Sequence, residues 1–169
     1  MNIIETDRLI LRKLTMEDAE FMLDLLNQPS FIQFIGDRKV RTLEDARAYI
    51  LNGAVKSYKR HGFGMNLTAL KETGVPIGIC GLVKREALPD ADVGFAFLPQ
   101  FWLQGYAFES ASAIMEYGRN VLGLPRILGI TSPENIGSIR VLEKIGLRFE
   151  RMVKLSEDDI ELKLFAPEG

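Results

Sequence analysis

Asp92-Val-Gly-Phe-Ala-Phe-Leu-Pro-Gln-Phe-Trp-Leu-Gln-Gly-Tyr-Ala107 is the stretch that decides how the chain is read. Its first half, VGFAFL, is a short apolar run of strand type, and Pro99 closes it. From Tyr106 to Leu122 the period changes: Ala107, Ala111, Ile114, Met115 and Val121 are spaced for burial on a helix. A strand, a turn and a helix therefore follow one another. The first turn of a helix has N–H groups without intrahelical partners, and these can hold an anion such as phosphate. Gly105 at the helix start has no β-carbon to keep a ligand off the backbone. An ordinary connection explains the same residues, so this segment alone leaves both readings open.

Outward from this segment the pattern is consistent. Upstream, GFGMNLTAL, the turn residues KETG and VPIGICGLV read as a hairpin, and KREALPDAD leads into the strand at Asp92. Gly78 and Gly81 are weak strand formers within it. Two helices precede the hairpin. Leu14–Leu26 has Thr15 as cap and Asp18 closing a capping box, with Pro29 as terminator. Leu43–Tyr58 has Thr42 as cap and Ala46, Ile50, Ala54 and Tyr58 on one face. FIQFIGDRKVR between them reads as a short helix and loop. RLILRK at Arg8–Lys13 is the first strand. Downstream, RILGIT is a strand, IGSIRVLEKIG a helix ending near Gly146, and Phe149–Leu155 and Ile160–Phe165 two more strands. The order β-α-α-β-β-β-α-β-α-β-β predicts a single α+β domain over residues 1–169, with helices on a mixed, mostly antiparallel sheet.

Composition narrows the function. The 169 residues carry 21 Lys+Arg and 23 Asp+Glu, a formal net charge of −2, which argues against direct nucleic-acid binding over a broad basic face. One cysteine excludes an internal disulfide, and with one histidine it leaves no persuasive metal-ligand set. No apolar run is long enough for a membrane span or a signal peptide, so cytoplasm is the default. Cys80 in IGICGL reads as a small buried side chain, and His61 as a surface turn group.

Three phrases in order, TDRLILRKLTMEDAE, DVGFAFLPQFWLQGYAFESASAIMEYG and PENIGSIRVLEKIGLRFE, carry a resemblance. Over about residues 6–165 the chain resembles the GNAT superfamily, specifically the RimJ/RimL-like N-acetyltransferases. The resemblance implies an α/β/α-type fold of about six or seven strands flanked by about four helices. It implies direct transfer of acetyl from acetyl-CoA to a primary amine, on a small molecule or a peptide N-terminus, with no metal. A homodimer is the expected assembly. In the family's Arg/Gln-x-x-Gly-x-Gly/Ala motif the matching positions are Trp102, Gly105 and Ala107. The resemblance thus assigns Gln104, Gly105, Tyr106, Ala107 and Phe108 to the pyrophosphate loop and adjoining helix turn. Phe97 and Leu98, at the end of the preceding strand, belong to the cofactor set. Where relatives have Trp-Gly-Lys-Gly-Tyr-Ala, this chain has Leu103 for the flexible glycine and neutral Gln104 for the cation.

Asn135 and Ser138 match the family's Asn-x-x-Ser phrase. They are assigned to the pantetheine arm, with Ser138 also the proton donor to the departing thiolate. A helix cap and a local helix hydrogen bond are the simpler roles for the same two residues. Arg140 and Lys144 are expected at the phosphates. Asp92, where relatives often carry Glu, is the leading base, directly or through water. A solvated turn acid is its plainer role. Glu109 is a second acid, or a group that satisfies a loop. Trp102 either shapes the acceptor entrance or packs as a plug. Backbone N–H groups in Phe95–Leu98, where the family has a bulge or splay, are expected to face the thioester. A non-enzymatic acyl-CoA-binding regulatory module is the alternative function.

Overall fold

The computed structural model describes residues 2–168. One eight-stranded sheet runs β1 (Asn2–Glu5), β2 (Leu9–Lys13), β3 (Met65–Leu70), β4 (Pro76–Val83), β5 (Asp92–Phe97), β6 (Leu128–Thr131), β8 (Leu162–Pro167) and β7 (Leu147–Val153) in spatial order. Every neighbouring pair is antiparallel except β5–β6, which is parallel. The mixed, mostly antiparallel α+β architecture is as expected, with one strand more than the six or seven foreseen. The addition is β1, a half-buried edge strand that pairs only with β2.

Helices cover both faces. On one side lie α1 (Ala19–Leu26), α2 (Pro29–Phe34), α3 (Leu43–Ile50) and α4 (Lys56–His61). Met22, Leu25, Leu26, Phe31, Ala46 and Ile50 bury there against Leu67, Ala69 and Ile79 of the sheet. On the other side α5 (Tyr106–Asn120) and α6 (Ile136–Lys144) press Ala111, Ile114, Met115 and Leu142 onto Leu9, Leu11, Ile77, Val93 and Phe165. Strand alternation puts Ile79 on the first face and Cys80 and Leu82 on the second, and the irregularity between the Thr68↔Gly78 and Ala69↔Pro76 pairings turns Ile77 to the second face as well. Gly78 is required by close approach, since a β-carbon there would stand 2.5 Å from the Ala96 carbonyl oxygen.

Local signals hold at several boundaries. Thr15 caps a short 3-10 turn, Met16–Asp18, that leads into α1, and Thr15 and Asp18 form the reciprocal capping box. Thr42 accepts from the Asp45 N–H at the start of α3. Two boundaries differ from the sequence reading. Pro29 occupies the first turn of α2, where its missing N–H costs nothing, so it starts a helix. The expected helix 43–58 continues to His61 and passes through a π-helical segment, Leu51–Val55. Counting α3 to α4 as one interrupted helix gives five flanking helices against the four expected.

Candidate functional site

β5 and β6 begin as a parallel pair but keep company for only two residue pairs, Asp92↔Leu128 and Val93↔Gly129. Beyond Val93 the strands diverge. The Leu98 N–H donates to Ile77 O on β4, and the Leu128 N–H donates to Ala91 O. Alternation then points the backbone of Val93, Phe95 and Phe97 towards the β6 side. Phe95 and Phe97 thus direct N–H groups into the opening between the strands. The Phe97 carbonyl is taken by the Trp102 indole N–H at 2.8 Å. Trp102 therefore ties the turn after β5 back to the strand, and it is absent from the lining of the main cleft described below.

At the far end of β5, Pro99–Phe101 form one 3-10 turn and the chain enters α5 through Gly105, whose φ of 84° is left-handed. Leu103 shares that region with φ 61° and is fully exposed. The first intrahelical bond of α5 is from the Glu109 N–H to Gly105 O. The N–H groups of Tyr106, Ala107 and Phe108 therefore have no partner within the helix. Gln104 turns its side chain back to Gln100 O at 3.1 Å. Phe108 is exposed beside Lys144, whose ammonium lies 5.8 Å from the ring centroid, and Arg140 is one turn earlier on the same helix.

A residue the sequence reading passed over organises this loop. Arg8, just before β2, bonds Glu109 Oε1 through Nε at 2.7 Å and Gln104 O through Nη1 at 2.9 Å. Its guanidinium stands 4.4 Å from the Tyr106 ring centroid. The Arg8 N–H and the Thr6 hydroxyl bond the other Glu109 oxygen. Burial acts to raise the Glu109 pKa, but the donors from Thr6 and Arg8 outweigh it and hold the carboxyl below its usual range. Glu109 is thus a loop-satisfying group, one of the two roles weighed for it. The partners are about a hundred positions apart, so only the fold could reveal them.

On the opposite face a cleft of about 580 Å³ opens between α2–α4 and the diverging strands. Asp92, Gly94, Phe95 and Ala96 of β5, Thr131 of β6, and Asn135 and Ser138 of α6 line it. Of the sequence-derived site residues, Asp92, Asn135 and Ser138 meet here. Phe97, Leu98, Gln104–Phe108, Arg140 and Lys144 do not line it; Lys144 lies beside Phe108 in the first turn of α5. Asn135 caps α6, its side chain accepting from the Ser138 N–H at 3.2 Å. The Ser138 hydroxyl makes no hydrogen bond among the described residues.

Asp92 is 1% exposed and bonded to Arg85 Nε at 2.9 Å, which corrects the picture of a solvated turn acid. Burial pushes its carboxyl up, opposed by the charge and hydrogen bond of Arg85 and the charge of Lys84. Lys84 and Arg85 are thereby placed at Asp92 and at the Arg85 and Leu88 carbonyls. Cys80 is fully buried, and burial pushes its thiol up to about 12, a poor setting for a nucleophile. No group of three or more His, Cys, Asp or Glu residues able to hold a metal occurs among the described residues, and no helix there is long and apolar enough to cross a membrane.

Comparison with known proteins adds to this geometry. A family model described as an acetyltransferase (GNAT) domain matches residues 8–148. YoaA of Bacillus subtilis, named as an uncharacterized N-acetyltransferase, is 30% identical over 154 residues, 90% of this chain and 86% of that protein. An acetyltransferase structure from Agrobacterium tumefaciens superposes with a TM-score of 0.83 at 25% identity, over 98% of this chain and 94% of the other. The structure of RimL, a ribosomal L7/L12 α-N-protein acetyltransferase in complex with coenzyme A, shares the fold with a TM-score of 0.84 at 19% identity, over 98% and 97%.

Proposed function

The chain belongs to the GNAT acetyltransferase family, and from that premise we propose that it transfers acetyl from acetyl-CoA to a primary amine. The observation that carries this reading is the divergence of β5 from β6 after Val93. It leaves backbone donors facing an opening that has the left-handed Gly105 turn beyond one end and the 580 Å³ cleft on one face.

Acetyl-CoA would supply an activated acyl group on a thiolate leaving group. The Tyr106, Ala107 and Phe108 N–H groups fit a pyrophosphate at the start of α5, with Arg140 and Lys144 beside it. The Arg8 guanidinium, paired with Glu109, holds the Gln104 carbonyl and the Tyr106 ring, so it shapes the loop without adding net charge to it. In the opening, the Phe95 N–H can donate to a carbonyl oxygen as that oxygen gains negative charge. Asn135 holds the start of α6 so that the Ser138 hydroxyl stands ready to give a proton to a thiolate.

The amine must lose a proton before it attacks. A lysine-type amine has a pKa of ~10.4 and an α-amine ~8. Asp92 is the group in the cleft suited to receive that proton. It lies three residues along the strand from Phe95, a span of ~10 Å, which calls for a water between carboxylate and amine. The raised pKa of Asp92 makes it a better base than a solvated carboxylate, while Arg85 keeps it oriented.

Calorimetric titration with acetyl-CoA and CoA, followed by thiol release over a panel of amines, tests the proposal. Near-stoichiometric acetyl-CoA binding and amine-dependent thiol release are expected. A folded protein that binds neither nucleotide would overturn it. The Arg85–Asp92 pair also favours a second reading, a binding module whose acid is sequestered. Binding without thiol release from any amine would select that one.

A further inference from the structure

We propose that the acceptor is an amine flanked by carboxylates, either the N-terminus of an acidic peptide or an amino-dicarboxylic acid. The inference builds on the acetyl-transfer reading and concerns the acceptor side of the same cleft.

The protein as a whole is slightly acidic, yet the cleft is not. Its lining includes Arg38, Lys56, Arg60, Lys84 and Arg85 against two acids, Glu86 and Asp92. Two of these cations are already engaged: Arg85 pairs with Asp92, and Lys84 donates to the Arg85 and Leu88 carbonyls. Arg38, Lys56 and Arg60 form no hydrogen bond or ion pair among the described residues, and all three are exposed at the cleft. Glu86 is the one acid left to oppose them. The net field at the mouth is therefore positive where the overall charge is negative.

Placement strengthens the argument. Tyr49, Gly53, Lys56 and Arg60 recur at helical spacing and all line the cleft, so one stripe of α3–α4 faces it. Lys56 and Arg60 are one turn apart on that stripe. Arg38 lies in the loop between α2 and α3. Asp92 and the diverging strands form the opposite wall. An amine that reaches Asp92 shares the cleft with the three free cations. Carboxylates there gain attraction over a range of ~8 Å at physiological salt. A polyamine meets like charge, which selects against it.

Fluorescent peptides identical at the first residue, Ala-Glu-Glu-Glu, Ala-Ser-Ser-Ser and Ala-Lys-Lys-Lys, would be compared for binding and for acetyl transfer. Free glutamate, free aspartate and spermidine would be run alongside. The acidic peptide should exceed the neutral one by about tenfold in kcat/KM at low salt, with the advantage shrinking as ionic strength rises. Arg38→Gln and the pair Lys56→Gln/Arg60→Gln should remove that advantage, bringing the acidic peptide down to the level of the neutral one. Circular dichroism and melting curves would show that both variants fold. Preference for glutamate or aspartate over the acidic peptide would place the carboxylates on a small acceptor. Preference for the acidic peptide would place them on a chain. Equal binding of all three peptides, or preference for Ala-Lys-Lys-Lys or spermidine, overturns the inference even where acetyl transfer is robust. Selective binding of the acidic peptide without transfer supports the cleft as a carboxylate-recognising site while removing the acetyl-transfer reading and, with it, the peptide's role as acceptor.

Discussion

Replacing Arg8 by alanine would separate a loop organised for a pyrophosphate from one that is merely folded. Three contacts are lost together. The ion pair to Glu109 at 2.7 Å is partly exposed and contributes up to about 1 kcal/mol. The bond to Gln104 O at 2.9 Å contributes about 1 kcal/mol. The stack on Tyr106 at 4.4 Å contributes about 0.5–1 kcal/mol. If about 1–2 kcal/mol of this holds the loop in its binding shape, acetyl-CoA binding weakens by about 5–30-fold at unchanged kcat. Part of that loss is electrostatic, because Glu109 would then face the bound phosphates uncompensated. Arg8→Ala/Glu109→Gln should therefore recover much of the affinity. Calorimetry with acetyl-CoA and with S-acetylpantetheine, which lacks the pyrophosphate, reads the effect. An unchanged acetyl-CoA Kd, or an equal loss for both ligands, would refute the reasoning.

Other outcomes follow from the same structure. Gly105→Ala forces a β-carbon into the left-handed region and to 3.2 Å from Arg8 Nη2. It should cost about 1–2 kcal/mol of stability in denaturant melts and weaken acetyl-CoA binding. Asp92→Asn should lower kcat/KM about a hundredfold or more and abolish the rise of activity with pH that ionisation of Asp92 produces; an unchanged profile would remove Asp92 as the base. Burial acts to raise the Asp18 pKa, but the Arg12 and Thr15 bonds prevail and lower it from 3.8. Its stabilising contribution is therefore complete above the unfolded value and lost as pH falls through the lower folded value, and Asp18→Asn should flatten the melting temperature against pH below about 4. Tyr58 accepts from the Leu14 N–H and donates to Met65 O, so Tyr58→Phe leaves both groups without that partner. A loss of about 1–3 kcal/mol should appear as a drop of about 2–12 °C in Tm.

The sequence showed what is local. The Thr15/Asp18 box, the Thr42 cap and the hairpin of β3 and β4 each depend on residues a few positions apart. The strand–turn–helix around Gly105 was readable for the same reason. β1 escaped because four residues at a half-buried edge carry little alternation. The π segment, Leu51–Val55, escaped because Ala54 and Tyr58 are half-buried as the four-residue spacing expects, so the spacing reads the same with the wider turn between them. Pro29 was misjudged because the same missing N–H that ends one helix suits the first turn of another. In the site, Asn135 and Ser138 were visible as a phrase. The Arg8–Glu109 clamp and the Arg85–Asp92 pair were not, since a charge on a sequence has no partner until the chain closes. The positive stripe of Lys56 and Arg60 was likewise indistinguishable from an ordinary wet face until the cleft opposite it was in place.

The short β5–β6 pairing also bears on mechanics. Five strands form one ribbon and three form another, and only two residue pairs stitch them. Thermal breathing should open the sheet along that stitch before either ribbon frays within itself. A ligand whose amides bond both β5 and β6 would act as a rivet across the fault. Amide exchange on the two ribbons, independent of each other when the gap is empty, should then slow together.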